Sequence, residues 1–224
     1  MVNIRYIDTN ELRCSGSIIS RKHILTAAHC VLNVNCTNLI IYAGTDNSRN
    51  TSGPHYHIHN FIVHPSYTGD THDLFKHDIA IITIRERLAF NRFQRSIRLP
   101  TKNVYGGERG LISGWGRIKY EDRATSEKLM QAPMTIIRNE ECFSRLPFHI
   151  RPDQFCGFEA VGIGQCVGDS GGPLVVDGII VGVASFVLPC AEGLPDVYTK
   201  VYSHLSFIRK EISLTDSVIS CNCQ

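Results

Sequence analysis

The stretch Gly164-Gln165-Cys166-Val167-Gly168-Asp169-Ser170-Gly171-Gly172-Pro173-Leu174 sets a serine among glycines, with two apolar runs after it. Glycine on both sides exposes the hydroxyl and lets another backbone approach closely. Gly168 is free to adopt positive φ, which aims its N–H and that of Ser170 at one point. Two donors so aimed stabilise the oxyanion of a tetrahedral intermediate. Asp169 places a carboxylate beside the hydroxyl, and once buried it requires a cation. The chemistry indicated is that of a nucleophilic serine.

Gly168-Asp169-Ser170-Gly171-Gly172 also fits the G-x-S-x-G elbow of α/β-hydrolases. That elbow requires a helix after the serine and partners in the order serine, acid, histidine. Here Leu174-Val175-Val176 and Ile179-Ile180-Val181-Gly182-Val183 flank Asp177-Gly178, a β-hairpin pattern. The only histidine after Ser170 is His204, within a helical pattern. The elbow is excluded, and an antiparallel β architecture is expected in its place.

Working outward, short β-branched runs dominate. Val2–Tyr6, Cys14–Ile19, Asn38–Gly44, Ile58–Val63, Asp78–Ile84, Gly110–Gly116 and Lys128–Ile137 are expected to lie in or run into strands, and Ile24–Cys30 to run from a strand into a short turn. Apolar residues at 201, 205, 208 and 212 predict a terminal amphipathic helix. The 224 residues carry 43% hydrophobic and 20% charged residues and a net charge of +2. That balance suits a soluble globular chain and gives no drive toward nucleic acid or anionic membrane. No apolar run reaches membrane-spanning length. Nine cysteines without C-x-x-C pairs indicate an oxidising compartment rather than a zinc site. Asn35-Cys36-Thr37 and Asn50-Thr51-Ser52 are glycosylation sequons, consistent with secretion.

Three residues, in the order His29, Asp78, Ser170, have the types that activate a hydroxyl. A histidine takes the serine proton near neutral pH, and a buried aspartate holds the ring in the required tautomer. Thr26-Ala27-Ala28-His29-Cys30, His77-Asp78-Ile79-Ala80-Ile81 and Gly168-Asp169-Ser170-Gly171-Gly172-Pro173 resemble the three signature segments of the chymotrypsin-like (trypsin-like) serine proteases. Ser113-Gly114-Trp115-Gly116 and Pro195-Asp196-Val197-Tyr198-Thr199-Lys200-Val201 extend the likeness over nearly the whole chain.

The resemblance implies an all-β fold of two packed six-stranded antiparallel barrels with a C-terminal α-helix and the site between the barrels. The implied layout is a protease domain over 1–213: a first barrel over 1–95, a second over 102–200, a helix over 201–213. A disordered tail is expected over 214–224. It also implies disulfides Cys14–Cys30, Cys142–Cys156 and Cys166–Cys190, leaving Cys36, Cys221 and Cys223 to a partner in a missing segment or to free thiols. Ser170 becomes the nucleophile, His29 the base, Asp78 its orienting acid, and the Gly168 and Ser170 amides the oxyanion hole.

Through the same likeness Gly164 falls at the floor of the specificity pocket, where trypsins carry aspartate. Gln165 and Val167 flank the pocket, and Ser185-Phe186-Val187 is the edge that pairs with substrate backbone. Val187 replaces a common glycine and narrows the pocket, as in elastases. Asp196 stands where many relatives have glycine, and with Gly164 resembles insect chymotrypsins. If Asp196 points away and is hydrogen-bonded, an apolar residue before the cut is expected; if it faces the pocket, Arg or Lys is. The narrowing by Val187 favours the apolar outcome.

Members of the family begin with an Ile-Val-Gly-Gly-like terminus whose amino group pairs with the aspartate before the nucleophile, here Asp169. This sequence starts roughly a dozen residues inside that terminus and has no signal peptide. The expectation is a truncated sequence, with the activation segment missing and little activity for the chain alone. Secretion, a monomeric state, protein or peptide substrates and protein inhibitors are the implied setting, with no cofactor and no metal. A catalytically silent homologue serving as a binding module is the rival reading. A remoter one is a metal-binding row of His55, His57 and His59, which share one face of a strand; a solvated outer barrel face is the expectation.

Overall fold

The computed structural model describes residues 1–188 and 190–217, without the side chains of 215–217. The six strands β1 (Val2–Tyr6), β2 (Leu12–Ile18), β3 (His23–Thr26), β4 (Leu39–Ala43), β5 (His55–Val63) and β6 (Ala80–Ile84) close a first barrel. Around it they run β1-β2-β3-β6-β5-β4, every pair antiparallel. Alternation sends Val2, Ile4, Ile24, Ile41, Ile58 and Ile82 into its core.

The second barrel closes in the order β10-β11-β12-β9-β8-β7. Its strands are β7 (Arg109–Gly114), β8 (Met130–Ile137), β9 (Gln154–Phe158), β10 (Pro173–Val176), β11 (Ile179–Phe186) and β12 (Asp196–Lys200). Asp177 and Gly178, with φ of 50° and 72°, make the two-residue turn from β10 to β11 that the Asp-Gly pair predicts. Two antiparallel barrels are therefore present as the resemblance implies.

Between β8 and β9 a helix absent from the sequence reading, α1 (Asn139–Arg145), carries Glu140 and Glu141 in its first turn and Arg145 in its last. That charge order complements the helix dipole and was a legible signal. The terminal helix differs from expectation at both ends. Val201–His204 is a 3-10 turn, and α2 covers Leu205–Ser217, so residues 214–217 are helical rather than tail. Cys221 and Cys223 lie outside the described residues. Val201, Phe207 and Ile208 join the first barrel's core together with Ile180 and Val183 of β11. The barrels thus meet through apolar contact rather than as separate bodies.

The disulfides Cys14–Cys30, Cys142–Cys156 and Cys166–Cys190 are formed. Cys36 is buried and disulfide-bonded as well, so it is no free thiol.

Candidate active site

His29 sits in a 3-10 turn, Ala28–Cys30, directly after β3. Cys30 ties this turn to β2 through Cys14. Arg13 donates from Nε to the Cys30 carbonyl at 3.2 Å and from Nη2 to the His29 carbonyl at 3.1 Å. Carbonyls at a turn's end have no partner within it, so Arg13 both satisfies them and fixes the histidine backbone. The sequence reading missed Arg13, since nothing local marks it.

Asp78 is fully buried, and its oxygens are well occupied. Oδ1 accepts the His29 backbone N–H at 2.9 Å, and Oδ2 faces His29 Nδ1 at 2.8 Å. Ser185 Oγ donates to Oδ2 at 2.6 Å, and Thr199 Oγ1 donates to the Asp78 carbonyl at 2.9 Å. The carboxylate puts the His29 proton on Nδ1 and leaves Nε2 as the basic nitrogen. Ser185, the penultimate residue of β11, therefore has a contact with the acid in addition to its place in the barrel.

The segment leading to Asp78 is conformationally costly. Leu74, Phe75 and His77 take φ of 52°, 54° and 60°. Left-handed backbone at non-glycine residues costs on the order of 1–3 kcal/mol each. The second barrel holds the segment in place. Gln154 Nε2 donates to the Leu74 carbonyl at 2.7 Å, Arg151 Nε to the Asp73 carbonyl at 3.0 Å, and the His77 N–H to Asp153 Oδ2 at 2.8 Å. Phe75 then packs edge-on to the His29 ring, with centroids 6.3 Å apart.

Ser170 and His29 line one cleft of about 340 Å³. Ser170 Oγ makes no hydrogen bond to another described residue, and His29 Nε2 touches Cys30 Sγ at 3.8 Å. Catalytic contacts of this type tighten when substrate binds. Gly168 has φ of 102°, in keeping with its expected positive value. Neither its N–H nor that of Ser170 donates to another described residue, so both remain free for an oxyanion. At Gly171 a Cβ would lie 2.2 Å from Thr26 Oγ1 and 2.4 Å from the Ser15 carbonyl oxygen. Only glycine lets the serine loop dock on the first barrel there, where the Ser15 N–H donates to the Ser170 carbonyl at 2.8 Å.

Gln165, Val167, Ser185, Phe186 and Val187 line the same cleft. Gly164 and Asp196 do not. Asp196 lies beneath Gly164, 3% exposed, with Oδ2 accepting the Gln165 N–H at 2.7 Å and the Tyr198 hydroxyl at 3.3 Å. Burial pushes its pKa up to about 7, against the lowering effect of those two bonds. Asp169 accepts the Gly116 N–H at 2.7 Å and the Cys166 N–H at 2.9 Å. Burial raises it to about 6. A cavity of about 160 Å³, walled by Ile112–Gly114, Gly116 and Gly162–Gln165 among others, adjoins it.

A carboxyl raised on folding contributes stability that is complete below its unfolded pKa and is lost as pH rises through the folded value. For Asp196 the window is about pH 4 to 8, and the loss is roughly 4 kcal/mol. Urea unfolding across that window is expected to show a steeper fall for the native chain than for Asp196→Asn. Equal slopes would mean that Asp196 is solvated.

Of the three alternating histidines two keep the expected solvated face, whereas His59 is half-buried at the register shift of β5 between Ile58 and Asn60. His55 and His57 are exposed on β5, flanking buried Tyr56, and Glu86 pairs with His57 Nδ1 at 2.8 Å. That carboxylate was not anticipated from the sequence.

The chain matches the Trypsin family over residues 1–208. It is 33% identical over 198 residues to chymotrypsin-2 of Vespa crabro, covering 88% of each chain. It is 32% identical over 204 residues to trypsin-3 of Salmo salar, covering 89% of this chain and 83% of that one. Among solved structures, neuropsin, a serine protease expressed in the limbic system of mouse brain, superposes with a TM-score of 0.85 at 26% identity. That superposition covers 94% of this chain and 93% of neuropsin. With two closed barrels and His29 and Asp78 in contact at the cleft that holds Ser170, the chain belongs to the trypsin family of chymotrypsin-like serine endopeptidases.

Proposed function

We propose that this chain cleaves peptide bonds through an acyl-enzyme, with a preference for apolar residues of medium size before the cut. The observation that carries the mechanism is the buried Asp78 carboxylate on His29 Nδ1, with Nε2 left basic in a cleft shared with Ser170. Ser170 attacks the carbonyl carbon as His29 accepts the hydroxyl proton, and the Gly168 and Ser170 amides receive the oxyanion. His29 then returns the proton to the leaving amine, and water repeats the sequence to free the acid. Labelling by a fluorophosphonate, lost in Ser170→Ala, separates this reading from a silent homologue.

The apolar preference rests on Asp196 being buried, its Oδ2 taken up by the Gln165 N–H and the Tyr198 hydroxyl and its side chain outside the cleft lining, while Val187 lines it. An unpaired Arg side chain in such a pocket loses its hydration without a partner. Peptides differing only at the residue before the cut are expected to rank Leu, Val and Met above Arg. Val187→Gly is expected to raise kcat/KM for Phe and Tyr by about tenfold, the scale of relieving a steric limit in an apolar pocket. Preference for Arg in the native chain would overturn this choice.

Asp169 and its adjoining cavity are the place where the family resemblance puts an activation-released amino group, which would give this raised carboxyl its cation. The disulfides, together with exposed Asn35 and Asn50 in their sequons, support a secreted protein. It would act as a monomer on protein or peptide substrates and be open to protein inhibitors at the same cleft.

A further inference from the structure

His77 stands one residue before Asp78, and its ring meets two others from distant parts of the chain. His64 follows β5, and His204 ends the 3-10 turn before α2. The His64 and His77 rings stack at 4.6 Å, and His64 meets His204 edge-on at 5.1 Å. Asp153, just before β9, completes the group. His77 Nδ1 lies 3.1 Å from His204 Nε2 and 3.3 Å from Asp153 Oδ2, and His204 Nε2 lies 3.5 Å from that same oxygen. One ligating atom from each histidine falls within 4.8 Å of the others. His204 is 2% exposed and Asp153 6%, while His64 and His77 are half-buried.

Counting protons shows what the cluster lacks. His204 Nδ1 donates to the Lys200 carbonyl at 2.9 Å, which makes Nε2 an acceptor in the neutral ring. His77 Nδ1 has at most one proton to offer to that nitrogen and to the Asp153 carboxylate. Asp153 Oδ2 already accepts the His77 backbone N–H, and its Oδ1 is buried without a partner. Lone pairs from three side chains converge where one proton serves them all.

A divalent cation answers that shortage. Imidazole nitrogen and carboxylate oxygen bind zinc at about 2.0–2.2 Å, and a tetrahedron with such bonds has donor–donor edges of roughly 3.3 Å. The three measured separations bracket that edge. The carbonyl bond on the far nitrogen of His204 is the outer support that orients a metal-bound imidazole.

We propose that His77, His204, Asp153 and His64 form a site for a divalent transition metal of the zinc class, one residue from Asp78. His77 Nδ1, His204 Nε2 and Asp153 Oδ2 supply three corners, and as the metal enters the proton on His77 Nδ1 passes through solvent to Nε2 of the same ring, which stays neutral. His64 supplies the fourth corner through Nε2. Its proton moves to Nδ1, at the expense of the bond that nitrogen now accepts from the Ser66 N–H at 3.2 Å. His64 and His77 belong to the first barrel and Asp153 to the second, so the metal clamps the costly 74–77 segment across the barrel junction.

The test is calorimetric zinc titration of the full oxidised chain after chelator dialysis, with His204→Gln, His64→Gln, Asp153→Asn and His57→Gln beside it. The native chain is expected to bind one zinc, to melt at higher temperature as zinc is added, and to show tetrahedral visible absorption with cobalt(II). His204→Gln, His64→Gln and Asp153→Asn are each expected to weaken binding at least tenfold. His64→Gln, at a half-buried position, guards against a folding defect in the deeper variants. His57→Gln changes the exposed row and is expected to leave stoichiometry and affinity as they were. Absence of stoichiometric zinc, binding that survives both His204→Gln and His64→Gln, or binding lost in His57→Gln each overturns the site.

Discussion

Ser170→Ala is expected to lower kcat by about 10⁶-fold in the activated protease, the scale of removing a serine nucleophile that works with a histidine base. The substitution deletes the atom proposed to form the acyl bond. It leaves the Asp78–His29 pair and the amides of residues 168 and 170 intact. What remains is the residual 10³–10⁴-fold advantage over water that positioning and oxyanion contacts provide. Ser170 Oγ has no hydrogen bond to lose among the described residues, so stability is expected to change by less than about 0.5 kcal/mol. Peptide turnover, fluorophosphonate labelling and the melting temperature together check this. Turnover retained in a well-folded alanine variant would place the nucleophile elsewhere.

Asp78→Asn is expected to cost about 10⁴-fold in kcat, as the equivalent substitution does in the same family. Both native carboxylate oxygens accept: one from the His29 backbone, the other from Nδ1–H and from the Ser185 hydroxyl. An amide has one accepting oxygen. Turned toward Nδ1, its NH₂ meets the His29 N–H; turned the other way, it donates to Nδ1 and places the ring proton on Nε2. The second arrangement keeps the geometry and removes the base. The loss is therefore expected in kcat, with KM little changed and a partial recovery at high pH, where serine ionises without help. A KM effect with kcat preserved would show that Asp78 only shapes the cleft.

Most of the architecture was legible along the chain, because its signals are local. Apolar alternation marked strands of both barrels, the Asp177-Gly178 pair marked a hairpin, and the spacing of 205, 208 and 212 marked the inward face of the last helix, with Val201 in the turn before it. His29, Asp78 and Ser170 were named because their immediate neighbours form distinctive segments. Even the pairs Cys14–Cys30, Cys142–Cys156 and Cys166–Cys190 followed from that likeness, whereas the bond made by Cys36 did not. The helix α1 escaped because it is seven residues long, too short for a periodic pattern to stand out.

Only the tertiary structure decided which distant side chains meet. Ser185 and Thr199 reach Asp78 across 107 and 121 residues, and Gln154 reaches Leu74 across 80. His77 and His204 are 127 residues apart, yet 3.1 Å separates their ring nitrogens. Such pairings depend on how one closed barrel is rotated and seated against the other. Strand periodicity states which face a residue occupies, but it carries no information about what the second barrel presents opposite that face. The same holds for Asp196: its bond from the Gln165 N–H joins residues 31 positions apart, and no local pattern in the sequence states it.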